Sequence, residues 1–515
     1  MPQILLDRRT LVASMSSIGL LTACSTLSGR PHSFRRDPFT LGVAAGDPAA
    51  DGFVIWTRLA PDPLESAGGM PPAEVPVAWE VANDPAFRNI VRTGEARARA
   101  QSAHTVHVEC SGLQPHRPYW YRFHSGGATS EVGCARTLPA PGSRVDQLRI
   151  ASVGCQDYES GYFTAFAHLA AEPELDAVFH YGDYIYEVGR RDRHALRIHS
   201  GDETHTLDDY RRRYAQYKTD PDLRAAHARA AFIPSFDDHE VDDNWAANFG
   251  KDDGDTAAFA ARKAAAMQAW LEHMPVRAAL RASPASRYFR RFDFGDLARM
   301  HVLDTRSHRS RQLGEVANSP VRLIQDNPSR TMLGAEQEAW LGAGLTAQHG
   351  WNFIAQQVLM MPFDVRRDGE AFPAFSTDNW NGYPGARRRL ADMIAERGLK
   401  NVVIGSGDMH QHVVGYLPSD PNDPGAPALA SEFLASSITS GGNGSARHSF
   451  QQDTLARNPH LSLLNNQRGY QLYNISPQSW SADIKVIDRI DIPGGRLDTL
   501  ATFVVEQGRP GPQTA

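Results

Sequence analysis

Three short apolar runs in this chain give way within a few residues to carboxylates. Val178-Phe179-His180-Tyr181 leads into Gly182-Asp183, Ala231-Phe232-Ile233-Pro234 leads into Asp237-Asp238, and Val402-Val403-Ile404 leads into Asp408. Further apolar runs lie at 148–153, 300–303 and 353–360, and helical patterns at 257–272 and 336–345 fall between them. Alternating β and α units imply an α/β sheet. Ligands of such sheets bind beyond the carboxyl ends of the strands. The acidic turns are therefore expected to meet at one end of the sheet.

A different grammar precedes Pro139-Ala140-Pro141-Gly142-Ser143, which reads as a linker. Short runs rich in Val, Trp and Tyr at 75–81, 104–110 and 119–124 predict an all-β block over 39–138. Its segment from Gly112 to Tyr121 has the form of the corner where a Tyr crosses between the sheets of a fibronectin-like sandwich. Beyond the linker, 145–505 is read as the α/β domain, with strands near 471–475 and 482–487 completing the sheet. The charged segment 203–229 is expected as a solvated helical insertion, and 507–515 as a loose tail.

At the N-terminus, Arg8-Arg9 precedes an uncharged apolar stretch, 11–23, too short to span a bilayer. This predicts a twin-arginine export signal over 1–24. Leu21-Thr22-Ala23-Cys24 resembles a bacterial lipobox, which makes Cys24 the expected lipidation site. Cys110 and Cys134 lie in one β-patterned block; pairing and two free thiols are both open. With 53 basic against 59 acidic side chains, the net charge is −6, which leaves no basic footprint for nucleic acid. Arg makes up 48 of those 53 basic residues, so no single Arg is functional without local support.

Chemistry concentrates in four places. Asp183 and Tyr186 are one turn apart. The run Asp237-Asp238-His239-Glu240-Val241-Asp242-Asp243-Asn244 packs four Asp and one Glu into eight residues, and such carboxylates repel one another unless cations or solvent compensate. Asp408-Met409-His410-Gln411-His412 adds a carboxylate and two alternating histidines, of which at least one group is expected to ligate metal. Cys155 ends the strand-like Ile150-Ala151-Ser152-Val153-Gly154. A thiolate beside a phenolate and carboxylates favours a highly charged ion such as ferric iron.

With these residues in view, the chain resembles the PhoD-type alkaline phosphatases, a branch of the calcineurin-like metallophosphoesterases. Phe39-Thr40-Leu41-Gly42-Val43-Ala44-Ala45-Gly46-Asp47-Pro48, Val54-Ile55-Trp56-Thr57-Arg58, Gly182-Asp183-Tyr184-Ile185-Tyr186, Asp237-Asp238-His239-Glu240-Val241, Leu303-Asp304-Thr305-Arg306, Trp380-Asn381-Gly382-Tyr383-Pro384 and Gly407-Asp408-Met409-His410 carry the likeness in order. It implies an α/β fold, a four-layer metallophosphoesterase-type β-sandwich flanked by helices, preceded by a small all-β fibronectin/Ig-like domain. It also implies Fe3+ held by Cys155, Asp183, Tyr186 and Asp408. Ca2+ would be bridged by Asp183 and completed by Asn244 and Asp378. Asp238 stands where related enzymes carry Asn, which leaves Asp238 and Asn244 as alternatives for the second metal. His410 matches a metal-binding or phosphate-facing position.

The implied reaction is hydrolysis of small phosphate mono- or diesters by a metal-activated water. His239 or His410 would act as general acid, and Arg306 would either contact phosphate or form a structural ion pair. No Ser nucleophile elbow is present. The expected protein is a monomer, exported to the periplasm or lipid-anchored in the envelope, and touches membrane only through Cys24. Two alternatives stand beside this reading: a phosphodiesterase or phospholipase D-like activity on the same centre, and a non-catalytic calcium-binding surface lipoprotein.

Overall fold

Ile150 and Ala151 face opposite ways, as do Phe353 and Ile354, and this alternation builds the molecule in layers. The computed structural model describes residues 33–189, 195–251, 256–282, 287–313, 319–320, 327–367, 369–420, 423, 425–447 and 451–515. Arg8, Arg9 and Cys24 lie outside the described residues.

Ten strands form one sheet. Its centre is parallel: Leu148–Val153, Ala177–His180, Ala231–Pro234 and Val43–Ala49. Gly469–Ile475, Ser479–Ile487, Leu497–Glu506 and Arg509–Thr514 extend it antiparallel on one side, and Gly52–Arg58 with Thr105–Cys110 extend it on the other. A second, seven-stranded sheet has a parallel centre of Ala298–Val302, Trp351–Ala355, Val402–Ser406 and Ala428–Leu434. Both parallel centres are buried on both faces, as such sheets require.

The two sheets share one core. Ile150, Phe179 and Tyr473 from the first meet Phe353, Val403 and Phe433 from the second, with Phe179 edge-on to Phe353 at 6.1 Å. The opposite face of the ten-stranded sheet, through Ala151, Val178 and Phe232, packs against helices Thr164–Ala171, Leu207–Lys218, Pro221–Arg229 and Thr256–His273. Ile354, Val402 and Ile404 on the outer face of the second sheet pack against Gly334–Gly344 and Pro384–Glu396.

Within 39–138 the described elements are strands and two short 3-10 turns. Val75–Ala82, Ile90–Ala98, Pro118–Ser125, Ala128–Thr129 and Gly133–Arg136 form a separate sheet. It buries Val77, Val81 and Tyr121 against Val43, Phe53 and Ile55, which belong to the ten-stranded sheet. The N-terminal sandwich therefore shares one of its layers with the α/β part. The Tyr corner is formed: Tyr119 accepts a hydrogen bond from the Gln114 amide at 2.9 Å. Cys110 and Cys134 are free thiols.

Two expectations are corrected. Segment 203–229 is not a solvated insertion: its helices bury Tyr210, Tyr214, Tyr217 and Lys218, the aromatics among them in the helix-side core. The charge in the sequence hid an aromatic stripe at helical spacing. The tail is not loose either, because Arg509–Thr514 forms an edge strand and the Gly511 amide donates to Ser431 at 2.9 Å.

At the carboxyl ends of the strands, Tyr181 lies across the gap between two turns. Its ring occupies the space beside both Gly154 and Gly407, where an added Cβ would come within 2.2 Å of ring carbons. Its hydroxyl donates to the Ser436 carbonyl at 2.6 Å. Gly407→Ala is expected to destabilise the protein by roughly 1–3 kcal/mol through overpacking. A thermal midpoint equal to that of the parent protein would show that the ring moves aside freely.

Candidate metal centre

Every acidic turn singled out in the sequence emerges at the carboxyl end of a parallel strand. The ten-stranded sheet delivers Cys155, Asp183, Asp237 and Asp238 after Leu148–Val153, Ala177–His180 and Ala231–Pro234. The seven-stranded sheet delivers Arg306 and Asp408 after Ala298–Val302 and Val402–Ser406. The turns are then locked to one another. The Cys155 amide donates to the Gly182 carbonyl at 3.0 Å, and the Gln156 amide to the Asp183 carbonyl at 3.1 Å. Buried Glu240 accepts from the amides of Asp183 at 3.1 Å, Tyr184 at 2.6 Å and Asp237 at 2.8 Å, tying two strand ends to one carboxylate.

Three adjoining groups result, each with its ligand atoms within 4.8 Å of one another: Cys155, Asp183 and His410; Asp183, Asp238 and His239; and Asp237, Asp238 and Asp408. Asp183 belongs to the first two, Asp238 to the last two. Tyr186 joins the first, its hydroxyl 3.2 Å from Asp183 Oδ2 and 3.1 Å from His410 Nε2. Cys155, Asp183, Asn244, Asp408 and His410 all have positive φ, between 53° and 72°. Such backbone costs of order 1–3 kcal/mol for a non-glycine residue and persists where the surroundings impose it.

The remaining residues sit around these groups. Asn244 donates its amide to Asp238 Oδ2 at 2.8 Å. Arg306, fully buried, approaches Asp237 at 2.5 Å, Asp378 at 3.0 Å, Asp408 at 3.4 Å and Asp238 at 3.6 Å. Asp304 is not among these ion-pair partners. Asp304 instead accepts from the amides of Arg306 and Ser307 and shapes the turn. Asp378 is further held by Arg309 at 2.6 Å and Gln312 at 3.0 Å, and it reaches the groups above through Arg306. His412 is drawn away: it opens the next strand, and its Nδ1 accepts from the Ser436 amide at 3.2 Å.

Several contributors had no role assigned from sequence: Asp237, Glu187, Glu240, Arg309 and Ser440. Asp237 and Glu240 stood inside the acidic run, so residue type marked the place but not the duty. Ser440 hydrogen-bonds Tyr186 from a Ser-Gly-Gly turn that carries no chemical signal.

The residues fit cations. Asp237 Oδ2 and Asp238 Oδ1 are buried with no hydrogen-bond partner, which is costly for a carboxylate unless an ion is near. Burial first, and then neighbouring carboxylates, push Asp183 and Asp408 well above the ordinary carboxylate range; Asp237 rises to about 6. Burial likewise raises the Cys155 thiol and the Tyr186 phenol, again with carboxylates nearby. Asp238 is held low despite burial by Arg306, His239 and the Asn244 amide. A bound cation would reverse the upward shifts, since metal ligands act deprotonated.

This fixes a sign. Without cations the folded state holds protons that the unfolded chain has released, so stability falls as pH rises from about 3.8 through about 6 for Asp237, and further for Asp183 and Asp408. Chelator-stripped protein is expected to melt at progressively lower temperature across that window, and cation-loaded protein is not. Parallel melting curves for the two forms would count against a cation site.

Comparison with known proteins agrees with this geometry. The profile of the PhoD-like phosphatase family matches residues 150–484, and that of the PhoD-like phosphatase N-terminal domain matches residues 24–139. Alkaline phosphatase D of Bacillus subtilis (strain 168) is 42% identical over 520 aligned positions, covering 98% of this chain and 88% of the relative. A solved structure of PhoD superposes with a TM-score of 0.90 at 43% identity, covering 94% of this chain and 93% of the other. A non-catalytic calcium-binding role is thereby set aside. The chain belongs to the PhoD-like phosphatase family and is a phosphoric ester hydrolase.

Proposed function

We propose that this protein is an exported alkaline phosphatase that cleaves small phosphate esters by attack of water at a centre of two cations. One observation carries the reading: Asp183 is shared by two adjoining ligand groups, with Cys155 and His410 on one side and Asp238 and His239 on the other. On this reading Cys155, Asp183, Tyr186, Asp408 and His410 hold ferric iron. Asp183, Asp378 and either Asp238 or Asn244 would offer oxygen donors to calcium. Two such cations, when bound, acidify a water and offset charge developing on the phosphoryl oxygens. The layered core supports a metallophosphoesterase-type sandwich over 145–505, preceded by a β domain over 39–138. Among the described residues no helix is long and apolar enough to cross a membrane. On this reading the 1–24 leader directs export and Cys24 is acylated.

The side chains divide the remaining work. His239 stacks on Tyr186 with ring centroids 4.1 Å apart, and its Nδ1 lies 2.7 Å from Glu187 Oε2. Burial disfavours its charged form, but Glu187, Asp238 and Asp183 outweigh burial and raise it well above the ordinary histidine range. Glu187 aims His239 and favours its protonated form, which makes His239 the general acid that delivers a proton to the leaving alkoxide. His410, hydrogen-bonded to Tyr186, serves as a ligand. Arg306 orders the carboxylates.

Asp183→Asn is expected to lose both metals and turnover together, read by elemental analysis and p-nitrophenyl phosphate hydrolysis. Tyr186→Phe should remove the phenolate band from the visible spectrum of iron-loaded protein and leave the thiolate band of Cys155; an unchanged spectrum would exclude the phenolate ligand. His239→Gln is expected to slow hydrolysis of an alkyl phosphate by roughly 10²–10⁴-fold. The same variant should barely affect p-nitrophenyl phosphate, whose leaving group needs no proton. Equal losses on both substrates would assign His239 a structural role.

A further inference from the structure

A cavity of about 820 Å³ opens between the Ile90–Ala98 strand and the Thr256–His273 helix, and none of the metal-centre residues lines it. Its charged lining among the described residues is unusual for a chain of net charge −6: Arg97, Arg99, Lys263 and Arg281 against the carboxylate of Glu272. Glu272 is already taken by a two-pronged pair with Arg211. Arg97 and Arg99 pair with Glu95 and Glu74 on the exposed rim, contacts that contribute little.

Among the described residues no carboxylate lies within ion-pair distance of Lys263 or Arg281, and Asp304 and Glu109 act on them only from farther away. Lys263 donates to the Ala247 carbonyl at 2.8 Å and lies over the Trp245 ring. Arg281 Nε is buried without a hydrogen-bond partner. Met267, Leu271 and Val106 supply an apolar wall beside these cations. Positive charge gathered in a concave, partly apolar site attracts and retains anions that carry an apolar body.

We propose that this cavity is an accessory binding site for an organic anion with an apolar group, of the class of aryl phosphates and phosphonates, separate from the metal centre. The loop at its edge links the two. Ala247 accepts Lys263 through its carbonyl and donates its amide to the Arg306 carbonyl at 2.9 Å, and Arg306 is the cation among the four carboxylates. An anion that draws Lys263 away from Ala247 acts on the loop that carries Asn244.

The test is calorimetric titration of the holoenzyme with phenylphosphonate. Two binding events are expected, one abolished by chelation and one not. Arg281→Glu and Arg99→Glu should each weaken the chelator-resistant event by roughly tenfold or more, the worth of a charge-assisted contact. Turnover of p-nitrophenyl phosphate in the absence of phenylphosphonate should hold in both variants. Methylphosphonate should bind that site more weakly, since it lacks the apolar body. Arg99 is exposed, so its variant decides the matter if Arg281→Glu fails to fold. A single, chelator-sensitive event in the parent protein, or unchanged affinity in Arg99→Glu, overturns the proposal.

Discussion

The burial of negative charge at one end of two sheets is the constraint on which this structure turns. Asp183, Asp237, Asp238 and Asp378 are withdrawn from solvent and Asp408 is half-buried, with a buried thiol and phenol beside them. Removing a charge from water costs several kcal/mol unless it is paired and hydrogen-bonded. Among the described residues one guanidinium, that of Arg306, forms ion pairs with four of the five carboxylates, Asp183 being the exception. Partly compensated charge of this kind is the condition under which a cation binds as part of the fold.

The architecture meets that constraint by division of labour. Parallel strands all end on the same side, so each sheet offers several turns to one region. The ten-stranded sheet supplies the thiol, Asp183 and the acidic run; the seven-stranded sheet supplies Arg306, Asp408 and His410. Their shared core, with Phe179 against Phe353, fixes how far apart the two sets of turns stand. Packing far from the chemistry thereby sets distances at the site.

Holding the turns requires residues outside the three ligand groups. Glu240 gathers three backbone amides, Asp304 shapes the Arg306 turn, and Arg309 with Gln312 pins Asp378. Backbone at Cys155, Asp183 and Asp408 is left-handed, and hydrogen bonds between the turns hold the first two.

The sequence by itself determined the strand-then-carboxylate pattern, the change from β to α/β grammar near the 139–143 linker, and the family motifs. These are local properties: apolar periodicity and residue type are visible without distant contacts. Asp183, Asp238 and Asp408 stand out as candidates because each follows an apolar run, whereas Cys155 alone reads as a small core residue and gains its place from the family likeness. Only the tertiary structure decided that the N-terminal sandwich shares a sheet with the α/β part, through the pairing of Val43–Ala49 with Ala231–Pro234 across a wide gap in sequence. It alone gave Arg306 its four partners, sent His410 into the site and His412 out of it, and recruited Ser440 to Tyr186. A side chain's duty at such a site is set by which distant strands pair, and pairing depends on the packing of the whole core rather than on any one segment.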